Sequence, residues 1–482
     1  MKLSKTKFAS YITCSKSFWL RHRRPEMIRW APPSAMQRTQ MLEGQNVERA
    51  SHPYLEATFG SGLAWQTTFE TDTLIARADF VRTNSDGSID IFEVKASTKL
   101  KDSDGKDHIV DAAFQWLTAS RAGKKVSSIH IVHLDGEYAR AGEIDTMRLF
   151  KSVDVTDLVL ERLKELEAEI DAAAAMLAED EIDLNGCDCQ FRGANSRCEA
   201  FAYLNPKVVA DSAHYLPGIR KNRLQNWGPA FDLRDIATDE LTERHKLVQR
   251  ALVTGRPVVD LAALEAFLGG VSYPIYFYDY ETTGPAIPPA EGYRPYQAIP
   301  VQFSVHRLEE DGSLHHAEWL SDAHGQESEL VNQLNAAIGP AGSTMAWHKS
   351  FELGCNTRLA HLHPAKAEFL SGLSERTIDL EIPFQKDYID WGFRGSSSIK
   401  KVLPVMSPEL QYRDDEVHDG TGAVEAWTQM IGLEAGCERS ELRRQLLEYC
   451  KLDTLAMVRI FNVIQKLVTA GRPGPRMTEL SG

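Results

Sequence analysis

The chain has 482 residues, 43% of them hydrophobic and 25% charged, an ordinary globular composition with room for two or three domains. Its net charge of −14 argues against a protein that coats nucleic acid, but is compatible with clustered carboxylates that bind divalent cations. No run of about 18 apolar residues exists, so no membrane-spanning helix is expected. The basic start Met1–Phe8 lacks the apolar core of a secretion signal, and the expected location is cytoplasmic. Seven cysteines in such a chain point to metal binding rather than to disulfides.

Residues 1–30 read as a helix of aromatic and basic character. Basic residues gather there at Lys16, Arg21, His22, Arg23, Arg24 and Arg29, and again at Arg220, Lys221 and Arg223; either run alone is a solvated face. Residues 69–95 alternate apolar and polar on both sides of Asn84-Ser85-Asp86-Gly87, which predicts a hairpin. A helix over 109–122, a strand over 127–134 and a long Ala- and Glu-rich helix over 155–179 follow, then Cys187, Cys189 and Cys198. Residues 206–270 read as a helical connector without a strand pattern. Strands at 273–280, 301–308 and 343–347, with helices at 327–337 and 441–466, predict an α/β domain. The tail from Gly471 is rich in Gly and Pro and is expected to be disordered. The expected division is 1–205, 206–270, 271–470 and 471–482.

Two constellations carry chemistry. Asp279 and Glu281 lie two apart on a strand and project to one face. Two acids this close repel unless a cation lies between them, and hard oxygen ligands favour Mg²⁺ or Mn²⁺ over zinc. The pair alone also suits a solvated edge strand. Glu352 opens a later helix, and Tyr449 and Asp453, four apart, share a helix face. A tyrosine there suits orienting a water, and an aspartate suits holding a metal. In the N-terminal half, Asp79 sits on one hairpin strand and Glu93 and Lys95 on the other, an arrangement that suits either phosphodiester hydrolysis or a cross-strand salt bridge. Asp111 and Gln115 share the face of the next helix. Cys355, Cys437 and Cys450 sit in ordinary contexts and read as incidental.

The C-terminal residues resemble the DnaQ-like DEDD exonuclease superfamily in its tyrosine variant. Asp279-Tyr280-Glu281-Thr282-Thr283-Gly284 matches its first motif, and Tyr449 with Asp453 its last. The middle motif, usually Asn-x-x-Phe-Asp, is here His348-Lys349-Ser350-Phe351-Glu352, with His for Asn and Glu for Asp. The resemblance implies an RNase H-like fold, two metal ions held by Asp279, Glu281, Glu352 and Asp453, and 3′→5′ attack on a terminal phosphodiester. Asp379 falls where the superfamily often has a structural aspartate and reads as a satisfied turn residue. Arg294–Gln297 and Ser396–Lys401 are candidate linings of a strand-binding groove.

The order Asp79, Glu93-x-Lys95, then a helix with Gln115 resembles the PD-(D/E)XK nucleases of the RecB type, a restriction-endonuclease-like fold. Glu48 falls where such enzymes carry an upstream metal ligand. One early cysteine and three after the core resemble the iron–sulfur version found among CRISPR adaptation nucleases, which implies that Cys14, Cys187, Cys189 and Cys198 ligate a [4Fe–4S] cluster. The spacing Cys-x-Cys-x8-Cys departs from the usual Cys-x-x-Cys-x5-Cys, and zinc is the alternative. The whole chain resembles a bacterial family that fuses two such halves. The expected function is therefore a metal-dependent nuclease acting on nucleic acid, with DNA carrying single-stranded ends as the expected partner, in repair or in defence against foreign DNA. Two other classes stay open: a single-activity exonuclease with an N-terminal iron–sulfur DNA-binding module, and a non-catalytic scaffold.

Overall fold

The computed structural model describes residues 1–101, 107–228, 231–412 and 420–471. Of the expected tail, Gly471 ends a helix and residues 472–482 lie outside the described ones. The chain is an α/β protein with two mixed sheets of six and five strands. It divides into two compact units: residues 1–208 with 284–297, and residues 209–283 with 298–482. The second unit thus contains the stretch expected as a connector, and the first contains the segment that follows Thr283.

In the first unit, β1 (Leu3–Ser4), β2 (Ala64–Glu70), β3 (Leu74–Thr83), β4 (Ile89–Lys95), β5 (Val126–Leu134) and β6 (Phe150–Asp154) form the sheet. The order is β1-β3-β4-β5-β6, with β2 also pairing β3. The hairpin is β3–β4, antiparallel, with Phe80 opposite Phe92; Phe69, expected within it, belongs to β2. The strand β4 alternates its side chains. Ile91 joins the core formed with Phe8, Phe18 and the helix His108–Arg121, whereas Phe92 joins a second core with Val47, Tyr54 and Leu55 of the helix Ala35–Phe59. The expected N-terminal helix is broken. Helices run over Lys5–Thr13 and Ser15–Arg23, and Cys14 between them is extended at φ −164°, ψ 105°. Nothing in the local sequence, no Gly or Pro, marks this break. It turns the Cys14 thiol toward the other cysteines.

The second unit opens with short helices and the two-residue strand β7 (Val258–Val259), where no strand was expected. Then come β8 (Ile275–Thr283), β9 (Ile299–Leu308), β10 (Leu314–Leu320), β11 (Ser343–Ala346), β12 (Thr377–Asp379) and β13 (Tyr388–Ile389), the last antiparallel to β7. The main sheet has the order β10-β9-β8-β11-β12; the first three strands are antiparallel, and β8, β11 and β12 run parallel. Alternation on β8 decides the site. Tyr276, Tyr278 and Tyr280 pack with the helices Glu327–Ala337, Ser350–Leu362 and Ala367–Glu375 on one face. Ile275 and Phe277 face the other way, onto Met457, Ile460, Phe461 and Ile464 of the long helix Cys437–Gly471. Asp279 and Glu281 continue the Ile275–Phe277 row. No described helix is long and apolar enough to cross a membrane.

Candidate functional site

The acid row on β8 meets the long helix where that helix changes character. Its buried stripe is apolar from Met457 to Val468 but carries Tyr449, Cys450 and Asp453 one to two turns earlier. Burial pushes the Asp279 carboxyl well above the ordinary range, and Asp453, Glu281 and Glu352 push it further. Carboxylate oxygens of Asp279 and Glu281 and the Cys450 sulfur lie within 4.8 Å of one another, and the thiol is 3.8 Å from Asp279 Oδ2. Cys450, read as incidental, therefore borders the acids. Asp453 is raised to about 6, chiefly by burial, although hydrogen bonds from Tyr412 and Tyr449 and the charge of Lys400 pull it down. Tyr412 and Lys400 were not singled out individually from sequence; the Tyr412 hydroxyl donates to Asp453, and the Lys400 ammonium lies 5.6 Å and 5.5 Å from the ring centres of Tyr412 and Tyr449.

Glu352 reaches the same acids from the first turn of the helix Ser350–Leu362. It is 3% exposed, its Oε2 is buried with no hydrogen-bond partner, and burial raises its carboxyl to about 8. A buried carboxylate oxygen without a donor is costly unless a cation or proton satisfies it. The turn before this helix is held by Asp379, which accepts from the backbone N–H groups of His348 (3.1 Å), Lys349 (3.2 Å) and Glu381 (3.0 Å). Those bonds keep His348 at φ +58°, a left-handed conformation uncommon for a residue with a side chain. Its Nδ1 contacts Glu381 Oε2 at 2.8 Å, and Glu381 in turn accepts from Ser397 at 2.6 Å. On the far face of β8, the Tyr280 hydroxyl donates to Asn356 (2.9 Å).

The N-terminal residues also converge, here with two lysines among the acids. Glu93 is buried, and burial alone would raise its carboxyl. Lys5 and Lys95 more than offset that and hold it down at about 2. Lys95 lies 2.9 Å from Glu93 and also contacts Asp111; those two acids raise its pKa despite burial. Gln115 donates to the second oxygen of Glu93. Asp79 accepts from Val94 N–H at 2.8 Å, and its carboxyl is raised by burial and then by Glu93. Glu48 adds to that effect and accepts from Trp65 (2.6 Å) and Gln66 (3.0 Å). Lys5 was missed: it comes from the N-terminal helix, 88 positions before Glu93, and no local pattern ties the two together.

The sulfurs of Cys14, Cys187, Cys189 and Cys198 lie within 4.8 Å of one another, with Cys187 and Cys198 3.9 Å apart. Their mutual hydrogen bonds split the thiols. Cys187 and Cys189 are shifted down, Cys189 to about 7, while Cys14 and Cys198 are shifted up. Asn205 donates to the Cys187 sulfur at 3.2 Å, and its oxygen accepts from the Cys187 N–H. Four clustered thiols with a supporting amide are a donor set for a metal ion or an iron–sulfur cluster. A single tetrahedral ion with bonds of about 2.3 Å needs sulfurs roughly 3.8 Å apart, close to what is observed. A four-iron cluster spreads its thiolates wider and would require them to open. A cavity of about 550 Å³ borders Cys14, Cys187 and Cys189.

No curated protein and no solved structure matches the chain. A family model described as a domain of unknown function, DUF2779, matches residues 276–398, less than half of the chain. The match spans Asp279, Glu281, His348, Glu352 and Asp379 and stops before Lys400, Tyr412, Tyr449 and Asp453. The second acid-bearing sheet of this chain thus carries a DUF2779 domain, to which no activity is attached.

Proposed function

We propose that the protein is a metal-dependent nuclease whose C-terminal site removes nucleotides from the 3′ end of a strand, with DNA as the expected substrate. The observation that carries this reading is the acid cluster in which Asp453, Glu281 and Glu352, from one strand and two helices, all raise the buried Asp279 carboxyl and in which Glu352 Oε2 has no donor. The donor set is all hard oxygen apart from the Cys450 thiol at its edge, which fits Mg²⁺ or Mn²⁺. Divalent ions bound there would supply charge neutralisation at the phosphate and an acidified water. The chain's own groups do the rest. Tyr449, hydrogen-bonded to Asp453, would orient that water, and Lys400 would meet a phosphate oxygen. The sheet order and the helix across it support an RNase H-like reading of the second unit. The test is digestion of a labelled single strand with Mg²⁺ or Mn²⁺: a free 3′ end is shortened stepwise, a 3′-blocked end resists, and Asp279→Ala abolishes the shortening. Undiminished shortening by Asp279→Ala would falsify the assignment.

A second activity in the first unit is favoured by the meeting of Glu48, Asp79, Glu93, Lys95 and Gln115, which fits a PD-(D/E)XK nuclease. Lys95 would stabilise charge developing at the phosphate. In a chain already carrying Asp279→Ala, any residual cleavage should fall on the order of 10²–10³-fold with Lys95→Ala. Complete absence of residual cleavage with every divalent metal tried would reassign this unit to binding. We read the four cysteines as a structural centre. The cysteine order favours [4Fe–4S], and the 3.9 Å sulfur spacing favours one zinc ion. Anaerobic purification with iron, sulfide and zinc analysis separates these occupants, and Cys198→Ala should release either one.

A further inference from the structure

Beside the N-terminal acids, and within the first unit, lies a cavity of about 580 Å³ of which the proposed chemistry uses only Lys95, at its edge. Its size falls in the range of roughly 300–1,000 Å³ of small-ligand sites. It is bordered by Lys95, Lys99, Lys101, His108, Glu43 and Tyr296. Among the described residues, neither the Lys99 nor the Lys101 ammonium has an acidic partner. The one acid among the described lining residues, Glu43, already accepts from the Ala286 N–H at 2.7 Å, and burial pushes its carboxyl up, which weakens its negative charge. His108 is 7% exposed and is held neutral by burial and by Lys95, with a pKa of about 4. Its Nδ1 accepts from the Lys101 N–H at 3.2 Å, which leaves Nε2 as a donor. The cavity therefore offers donors and positive charge, the environment an anionic oxygen seeks.

Tyr296 supplies the other half of a recognition site. Its backbone is left-handed, φ +56°, which costs a bulky residue about 1 kcal/mol or more. Its N–H donates to the Pro285 carbonyl (3.0 Å) and its hydroxyl to the Ala96 carbonyl (2.8 Å), one residue from Lys95. The side chain is fixed at both ends, yet the residue remains 40% exposed. A strained aromatic held in place against a basic cavity is a stacking platform. We propose that this cavity seats one nucleotide of a single-stranded nucleic acid, with the base against the Tyr296 ring and the adjoining phosphate between Lys99 and Lys101. The inference rests on the nuclease reading above and adds to it the place where the strand is gripped next to Lys95.

A single-stranded oligodeoxynucleotide carrying 5-iodouracil, and its RNA counterpart, are irradiated on the full-length protein in Ca²⁺. Binding is followed in parallel by fluorescence anisotropy. The expected crosslink lies on the peptide containing Tyr296. Lys99→Ala with Lys101→Ala should lower its yield about ten-fold and weaken binding, with unchanged circular dichroism, and Tyr296→Ala should weaken binding about ten-fold or more. Bound oligonucleotide that crosslinks only elsewhere, or binds the lysine variant as tightly as the parent, overturns the cavity assignment and leaves the nuclease reading standing. No binding of either strand overturns both.

Discussion

The two acid sites use similar residues in opposite ways. Around Glu93, the buried negative charge is matched inside the protein: Lys5 and Lys95 face it, and Asp111 shares Lys95. Around Asp279, four carboxylates raise one another's pKa or share partners, and among the described residues Lys400, over two tyrosine rings, is the positive charge that acts on Asp453. Lysines offset the Glu93 charge in the first arrangement, whereas in the second the carboxylates raise Asp279 until a cation or protons enter. An acid cluster by itself therefore says little about metal demand; the cations that surround it decide.

The largest expected effect tests the strained side. Asp453→Ala should lower metal-dependent 3′ shortening by on the order of 10²–10³-fold, because it removes a carboxylate together with the anchor of Tyr412 and Tyr449. Retention of parental activity would show that the cluster is not the reaction centre. Stability should separate the sites next. Glu93→Ala leaves Lys5 without its partner and Lys95 with Asp111 alone, and should cost about 3 kcal/mol in urea unfolding. Asp279→Asn relieves repulsion and should raise the stability of the EDTA-treated protein by about 1 kcal/mol. Equal losses in both variants would erase the contrast.

The pH dependence of the metal-free protein should also divide in sign between individual carboxyls, since Asp79 of the first site is raised like those of the second. The folded-state pKa values of Glu352, about 8, and Asp453, about 6, exceed those of an unfolded chain. Their contribution is present at low pH and is lost as pH rises from about 4 toward 8. Glu93, held at about 2, contributes above the ordinary carboxylate range, and that contribution is lost as pH falls from about 4 toward 2. Thermal melts across this range, with and without Mg²⁺, check both limbs; saturating metal should flatten the upper one. The smallest effects refine the C-terminal site. Tyr449→Phe should reduce turnover several-fold while metal affinity, read by titration calorimetry, stays put. Glu352→Asp should keep partial activity with a shifted metal preference.

What was legible in the sequence was what local periodicity encodes. The two-residue period of β8 put Asp279 and Glu281 on one face, and the four-residue step put Tyr449 beside Asp453. The helix bearing Gln115 and the β3–β4 hairpin were legible in the same way. Lys5 and Tyr412 were not, because each reaches its acid from a distant segment whose own pattern says nothing of the meeting. The edge strand β10 escaped because Leu314-His315-His316-Ala317-Glu318-Trp319-Leu320 lacks a two-residue apolar alternation and is mostly exposed or half-buried, and β12 because it is three residues long. The break at Cys14 escaped because the thiol cluster, not a helix-breaking residue, accounts for it.

Residues 284–297 interrupt the second unit between β8 and β9 and fold with the first. The chain therefore passes from one unit to the other three times, and no single cut yields both units intact. A truncation that ends near residue 205 deprives the first unit of Tyr296 and of Ala286, the hydrogen-bond partner of Glu43. Cutting the chain on either side of that segment opens the connection between the strand carrying Asp279 and its antiparallel neighbour. A dissection of the roles of the two halves must therefore proceed by point substitution rather than by deletion.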